Sequence, residues 1–347
     1  LTSLLVKKNI VIVGATGAVG REALSILAQR AVPADRLKVA ASPGSVGKLL
    51  PYADSSLVLH AVDETFFHQA NIALFCATSS IARQWASHAA NSGCLVVDNS
   101  SAFRAEPDVP LVVPEVNARA IGDSRLIANP NCSTIILLLA LEPLRNRFGV
   151  ERIVVSTYQA VSGAGAAAMD ELRELSRVVL KGGEPSPRVF KESCAFNVFS
   201  HNSSVDLDTG LNGEEAKMIT ESRKIWNNPT LSITPTCVRV GVMRAHTQSI
   251  TVTLARPATE VQVRAALQSA PGLRLVDDRV NNSFPTPLKA TGGDDVLVGR
   301  IRPDPGIAMD SEGRSCSWCL LISADQLRKG AALNAVQVAE AAMLSHR

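Results

Sequence analysis

Aromatic side chains are scarce in this sequence, with Trp, Tyr and Phe together making up 4% of its 347 residues. They are not interleaved with basic residues, and no block of five like charges occurs. The stacking platform and electrostatic stripe of a nucleic-acid binder are therefore missing, and nucleic acid is not an expected partner. The 35 basic and 32 acidic residues are spread along the chain and leave a net charge of +3. Long apolar runs are lacking too. The most hydrophobic stretch, Ile135 to Leu141, stops at Glu142-Pro143, far short of the ~20 residues a membrane span requires, so membrane insertion is not expected. Leu1 to Lys8 is too short for a secretory signal, and the missing initiator methionine points to processing or trimming.

Seven cysteines, an odd number at irregular spacing, do not form a disulfide framework and fit a reducing compartment such as the cytoplasm. Cys316-Ser-Trp-Cys319 has the spacing of a redox or zinc pair. The apolar run that follows reads as a strand, where residues three apart face opposite ways, and no second ligand pair is visible, so no metal site is expected. Cys76 and Cys94 border apolar runs and read as core.

What is present suits an enzyme of two domains: 46% hydrophobic and 19% charged residues, over a length that supports two cores. Asn9 to Val13 is a short apolar strand, followed at once by Gly14-Ala-Thr-Gly17-Ala-Val-Gly20 and a helical pattern from Arg21 to Gln29. The alternation continues through strands at Leu37 to Ala41, Ile72 to Cys76 and Leu95 to Asp98, with a helix at about Ile81 to Asn91. Such β-α-β repetition predicts a Rossmann-like, doubly wound parallel sheet. Further on, strands at Arg152 to Tyr158, Thr236 to Val242, Gln248 to Leu254 and Trp318 to Ser323 alternate irregularly with helices at about Ala164 to Leu180, Gly213 to Trp226 and Glu260 to Ser269. This predicts an α+β domain on a mixed or antiparallel sheet. Lys329 to Leu344 reads as a closing helix that returns to the first domain, giving expected domains of 1–132 plus 329–347 and 133–328. Lys181 to Pro187 and Asn202 to Gly213 read as long loops.

The glycine turn is a G-x-x-G-x-x-G variant of the dinucleotide fingerprint. Its first glycine permits a tight turn, its second lets backbone approach a pyrophosphate, and the helix beyond offers N–H donors to that anion. The second strand ends Ala40-Ala-Ser42-Pro-Gly-Ser45-Val-Gly-Lys48. It lacks the carboxylate that usually holds the ribose hydroxyls of NAD, which tilts the expectation towards NADP.

Asn129-Pro-Asn131-Cys132-Ser-Thr134 places one cysteine at the mouth of an apolar helix read over Ile135 to Leu144, with Ser133 or Thr134 as cap. The positive end of the helix dipole favours the thiolate there. A thiol of pKa ~8.5 is about 3% ionised at pH 7, whereas one of pKa ~7 is about half ionised, roughly a fifteenfold gain in nucleophile. Three further segments combine reactive groups with turns. In Ser156-Thr-Tyr-Gln159-Ala-Val-Ser162-Gly163 a glutamine ends a strand before a glycine turn. Gly213-Glu214-Glu-Ala-Lys217 opens a helix with two charges on one face. Cys237-Val-Arg239-Val-Gly-Val-Met-Arg-Ala-His246 sets an arginine and a histidine at the ends of a strand and turn.

With these segments, Asn99-Ser-Ser-Ala-Phe-Arg104, Val112-Val-Pro-Glu-Val-Asn117, Val298-Gly-Arg-Ile-Arg302 and Leu327-Arg-Lys-Gly-Ala-Ala-Leu-Asn334-Ala-Val-Gln337, the chain resembles the aspartate-semialdehyde dehydrogenases over nearly its whole length. The resemblance implies NADPH-dependent reduction of L-aspartyl-4-phosphate to the semialdehyde with release of phosphate. Cys132 would form a thioester. His246, near its ordinary pKa of ~6.5, would take and return a proton, whereas His60, His68, His88, His201 and His346 read as surface or satisfied core histidines without a catalytic task. Gln159 would orient the reacting group, Arg239 would grip the substrate α-carboxylate and Glu214 would accept its ammonium. Arg104, Asn131 and Lys217 would hold phosphate. Gly14, Thr16, Gly17, Ala18, Val19, Ser42, Ser162, Gly163 and Asn334 would hold NADP. The resemblance also implies a homodimer built through the second domain, or such dimers paired into a tetramer.

The sequence departs from the family pattern at three places. Pro43-Gly44 replaces an arginine for the NADP 2′-phosphate, Gly241 replaces a proline after the Arg-Val pair, and Ala245 replaces the glycine before His246. Two other readings compete with this one. In an acyl-phosphate reductase of the N-acetyl-glutamyl-phosphate type the substrate has no free ammonium, so Glu214 with Arg239 favours aspartyl phosphate. A catalytically silent paralogue acting as a binding subunit is disfavoured by the joint presence of Cys132, Gln159, Arg239 and His246.

Overall fold

The computed structural model describes residues 4–345, and His346, read above as a histidine without a catalytic task, lies outside them. The described chain divides into two units. One holds the residues up to Asn131 and those from Ala331 onward, and the other runs from Cys132 to Gly330.

The first unit is a seven-stranded sheet of β1 (Ile10–Val13), β2 (Leu37–Ala40), β3 (Leu49–Tyr52), β4 (Ser55–His60), β5 (Ile72–Phe75), β6 (Leu95–Asp98) and β7 (Leu126–Ala128). Its order is β3-β4-β2-β1-β5-β6-β7. Six strands run parallel and only β3 pairs antiparallel, as a hairpin with β4. Read without β3, the order is that of a doubly wound dinucleotide fold, with its switch point between β1 and β5. Strands β1, β5 and β6 are buried at every position, because helices cover both faces, and that is why their sequences are unbroken apolar runs. Helices α1 (Ala18–Gln29), α2 (Ser79–Asn91) and the single turn α3 (Pro114–Asn117) belong to this unit. The hairpin escaped the sequence reading. Its strand β3 carries Pro51 and alternates exposed with buried residues, a pattern tolerated only at a sheet edge.

The second unit holds α4 (Cys132–Phe148), β8 (Val150–Gln159), α5 (Ala166–Leu180), β9 (Val198–Ser200), α6 (Gly213–Ile225), β10 (Ser232–Val240), β11 (His246–Ala258), α7 (Glu260–Gln268), β12 (Leu273–Leu275), α8 (Pro287–Ala290), β13 (Val296–Pro303) and β14 (Ser315–Ala324). Its sheet is mixed, in the order β12-β13-β14-β11-β8-β10-β9. Parallel pairing occurs at β12 with β13 and at β8 with β10, and the rest is antiparallel. Helix α4 packs on β8, β11 and β13 and is buried almost all round, the signature of a helix inside a core. On β8, Ile153, Val155, Thr157 and Gln159 are buried while Val154 and Tyr158 on the other face are 36% and 41% exposed.

Helix α4 corrects the expected boundary. It starts at Cys132, so Ser133 and Thr134 lie in its first turn instead of capping it, and it runs past Pro143 to Phe148. Proline inside a helix forfeits one hydrogen bond, and the buried Leu137, Leu141 and Leu144 around it hold the helix together. At the other end of the chain, a π-helical turn at Arg328–Ala332 precedes α9 (Leu333–Ser345), which packs against α1, α3 and β6 in the first unit.

Candidate active site

In the first unit, Gly14, Thr16, Gly17, Ala18 and Val19 form the passage from β1 into α1. Gly14 has φ +88°, and a Cβ on it would sit 2.5 Å from the Cys76 carbonyl oxygen, so only glycine fits the turn. A Cβ on Gly20 would lie 2.3 Å from the Gly14 oxygen, which lets α1 start directly against the strand. No side chain caps α1 at Gly17, leaving its positive end open to an anion. A cavity of about 520 Å³ opens at the carboxyl ends of β1, β2 and β5, lined among others by Gly14, Thr16, Gly17, Ser42, Pro43 and Thr78. This is where a dinucleotide fits a sheet of this order. No carboxylate and no cationic side chain lines it.

Arg104 and Asn334 stand elsewhere in this unit. Arg104 donates from Nε to the Asn129 oxygen at 2.9 Å and from Nη2 to the Asn99 oxygen at 2.8 Å. The buried Asn334 donates to the Val112 oxygen at 2.9 Å and to Asn129 Oδ1 at 2.7 Å. Asn131 is buried immediately before Cys132.

The second unit gathers the reactive residues around the end of β8. Cys132 is half-buried at the start of α4, and none of the seven cysteines is in a disulfide. A Cβ on Gly330 would come 3.0 Å from the Cys132 Cβ, so the π-helical turn backs the nucleophile closely, a recurrent role for such turns. Gln159 donates from Nε2 to Ser133 Oγ at 2.9 Å and to Glu214 Oε1 at 3.2 Å. It thereby ties the residue next to Cys132 to the carboxylate. Glu214 is buried in the first turn of α6, whose start is fixed by a capping box of Asn212 and Glu215, and the helix dipole favours its negative charge. Lys217 Nζ lies 3.5 Å from Glu214 Oε2, its side chain 41% exposed.

The main chain of Ala160, one residue beyond β8, holds two side chains at once. Its N–H donates to His246 Nδ1 at 3.0 Å, and its carbonyl accepts from Arg239 Nη1 at 2.7 Å. Parallel pairing of β8 with β10 sets Arg239 opposite Gln159. Arg239 is 2% exposed and stacks over Phe190 with 5.4 Å between the guanidinium carbon and the ring centre. The acceptors it holds, Ala160 O, His201 and Asn202 Oδ1, are not carboxylates, and its buried Nε has no hydrogen-bond partner among the described residues. Such a cation is poised to receive an anion.

His246 departs from the expectation of an ordinary pKa. Burial, reinforced by the Arg239 charge, pushes it down to about 3. Because Nδ1 accepts the Ala160 N–H, the neutral ring carries its proton on Nε2, which is buried without a hydrogen-bond partner among the described residues. Ala245, just before it, keeps the left-handed conformation at φ +74°, in which glycine is at ease and alanine is strained. Its N–H is held by Gln326 Oε1 at 2.9 Å, and Gln326 Nε2 donates to Ser162 Oγ. The backbone turn before His246 therefore survives the departure from glycine. Gly241 has a structural reason as well: a Cβ there would lie 2.4 Å from the Cys194 oxygen, and its N–H donates to the Asn197 oxygen at 3.2 Å, so proline fits on neither count.

Gly163 lies against both reactive side chains, since a Cβ there would be 3.3 Å from His246 Nε2 and 3.4 Å from Arg239 Nη1. Gly163→Ala is expected to lower turnover about tenfold while leaving the melting temperature within a few degrees, measured by steady-state kinetics and calorimetry. An unchanged kcat would show that the space beside Nε2 is not used.

Two participants escaped the sequence reading. Ala160 acts through its peptide groups, and no side chain announces it. His201, read as a surface or core histidine without a task, accepts from Arg239 Nη2 at 2.8 Å; its only sequence signal is its place at the mouth of a loop.

A family model for the NAD-binding domain of semialdehyde dehydrogenases matches residues 9–124, and one for their dimerisation domain matches residues 141–329. An aspartate-semialdehyde dehydrogenase of Synechocystis is 45% identical over 333 residues, covering 96% of each chain. The chain belongs to the aspartate-semialdehyde dehydrogenase family. An Aquifex aeolicus member of the family is 43% identical over 341 residues, covering 96% of this chain and 97% of its own. The solved structure of Vibrio cholerae aspartate semialdehyde dehydrogenase II complexed with ASA superposes with a TM-score of 0.91 at 40% identity, covering 98% of this chain and 99% of that one. The family's two-domain plan is the one found here, with its NAD-binding part in the parallel sheet and its dimerisation part in the mixed one. No group of three or more His, Cys, Asp or Glu side chains suited to a metal occurs among the described residues, and none of their helices is long and apolar enough to cross a membrane.

Proposed function

We propose that this protein reduces L-aspartyl-4-phosphate to L-aspartate-4-semialdehyde with release of phosphate, NADPH being the reductant, in the biosynthesis of lysine, threonine and methionine. The observation that carries the reading is the joint tethering at the end of β8. Gln159 bonds the neighbour of Cys132 and the Glu214 carboxylate, and Ala160 bonds Arg239 and His246. A carboxylate for an ammonium and a guanidinium for a carboxylate, held beside a helix-mouth thiol, match a small α-amino acid activated at its far end. An N-acetylated substrate would bring no second positive charge to the buried Glu214 beside that of Lys217.

In this mechanism the Cys132 thiolate attacks the acyl phosphate carbon. The bond to phosphate breaks, and Arg104, Asn131 and Lys217 hold the departing anion while a thioester remains on Cys132. Gly14, Thr16, Gly17, Ala18, Val19, Ser42, Ser162, Gly163 and Asn334 are the residues that would hold NADPH, which when bound would supply a hydride for the thioester. His246 donates a hydrogen bond from Nε2 to the developing oxyanion, and Gln159 keeps the reacting carbon aligned with the sulfur. Collapse of the intermediate returns the thiolate. Because the helix start favours ionised sulfur before substrate arrives, the cycle asks His246 to donate and never to hold a second proton. That agrees with its low pKa.

Steady-state oxidation of the semialdehyde with phosphate tests the reading, with NADP and NAD each as oxidant. Turnover that requires phosphate is expected. A modest preference for NADP, less than about a hundredfold, is expected because the cavity offers neither a carboxylate to the ribose hydroxyls nor a cation to a 2′-phosphate. Equal specificity constants would overturn the preference, and lack of phosphate-dependent turnover would overturn the function. The seven reduced cysteines support a cytoplasmic setting. The open sheet face with Val154 and Tyr158 supports a homodimer formed through the second unit.

A further inference from the structure

Strand β9 pairs antiparallel with β10 so that Phe199 lies opposite Arg239 and Ser200 opposite Val238. The ladder continues one residue further, the His201 N–H donating to the Cys237 oxygen at 2.9 Å, and this brings His201 alongside the Arg239 side chain. Arg239 Nη2 then donates to His201 Nε2 at 2.8 Å and to Asn202 Oδ1 at 3.0 Å. A guanidinium can only donate, so His201 Nε2 must be unprotonated and the ring's single proton must sit on Nδ1. The Ser203 N–H also points at Nδ1, at 3.2 Å, but the shorter, charge-assisted bond from Arg239 at 2.8 Å decides the tautomer, and the Nδ1 proton turns to Ser203 Oγ at 3.1 Å. The charged groups acting on this imidazole are Arg239, Glu214 and Lys217. Burial, opposed by Glu214 and aided by Arg239 and Lys217, pushes His201 down to about 4, so it stays a neutral acceptor at physiological pH.

The guanidinium has five N–H donors in a fixed plane. Ala160 O takes one on Nη1, while His201 and Asn202 take the two on Nη2. A two-pronged grip on a carboxylate needs one Nη2 hydrogen, combined either with Nε–H or with Nη1–H. One Nη2 acceptor must therefore yield. Asn202 is exposed, whereas His201 is half-buried and fixed by β-pairing and Ser203.

We propose that His201 is a positioning residue for recognition of the substrate α-carboxylate: its unprotonated Nε2 holds one arm of Arg239 in plane while the carboxylate takes the hydrogen that Asn202 releases. The inference rests on the function proposed above. It adds a residue that never touches substrate and sets the aim of one that does. Without it, Nη2 loses its fixed acceptor while Nη1 keeps the Ala160 oxygen, so the guanidinium tilts about that one bond and substrate meets a misaimed fork.

The test is phosphate-dependent oxidation of the semialdehyde by the full chain, comparing wild type, His201→Ala and His201→Gln. The glutamine variant keeps a neutral acceptor near the place of Nε2. His201→Ala is expected to raise KM for the semialdehyde about tenfold, as loss of a hydrogen bond to a charged group does. KM for phosphate, KM for NADP and kcat should stay within about twofold, and His201→Gln should recover most of the loss. Three results would overturn the inference: an unmoved semialdehyde KM, a parallel rise in all three constants, or a glutamine variant no better than alanine. Wild-type chain that turns over no semialdehyde would sink the functional reading and this inference with it, whereas an active wild type with an unresponsive His201→Ala sinks the inference alone.

Discussion

Cys132→Ala is expected to lower phosphate-dependent reduction of NADP by the semialdehyde at least 10⁴-fold, about the cost of removing a covalent nucleophile from a site that is otherwise intact. The size of the effect follows from where the residue stands. As the first residue of α4, it lies at the end where the helix dipole and unsatisfied N–H groups favour a thiolate. Arg239 lies within electrostatic reach of the same sulfur. The substitution removes one atom and adds none, so the close approach of Gly330 is undisturbed and the fold is expected to hold. Unchanged melting together with lost turnover assigns the loss to chemistry. Residual turnover above about one part in 10⁴ of wild type would refute a thioester route.

How far the sequence reaches to such a statement depends on whether a feature is local. The glycine turn was legible because Gly14 and Gly20 answer steric needs within one strand-turn-helix unit. The parallel sheet was legible because strands such as Ile10–Val13 and Leu95–Asp98, covered on both faces, are uninterrupted apolar runs. Strands β9 and β12, three residues each, carry no period long enough to read, and the β3 hairpin hides behind Pro51. The start of α4 is not legible to the residue, because several polar residues precede its apolar run and any of them is chemically able to cap a helix.

In the site, Cys132, Gln159, Glu214, Arg239 and His246 were legible as residue types in matching segments, but the forces on them were not. Their tethers cross between strands or come from main chain, as with the Ala160 peptide groups and the β9 end that carries His201. The pKa of His246 is set by burial that only the fold creates. At Ala245 a local rule was sound about the cost of φ > 0 but silent about Gln326, 81 residues on, which holds the strained turn from outside it.

Arg239→Lys is expected to raise KM for the semialdehyde about a hundredfold and to lower kcat several-fold, a loss of about 3–4 kcal/mol in kcat/KM. Charge is conserved by the change, so the loss measures geometry. The native side chain satisfies Ala160 O, His201 Nε2 and Asn202 Oδ1 and still keeps a buried Nε–H without a partner. Lysine has three donors on one nitrogen and cannot meet three fixed acceptors while presenting two parallel N–H groups to a carboxylate. It also loses the flat face that stacks on Phe190. The effect should reach kcat because Ala160 links this residue to the catalytic imidazole: its carbonyl accepts from Arg239 and its N–H donates to His246. A guanidinium that no longer holds the carbonyl loosens the peptide plane that fixes the proton on Nε2. An unchanged semialdehyde KM would remove Arg239 from the substrate site. A raised KM with intact kcat would keep it there but would sever the proposed link through Ala160.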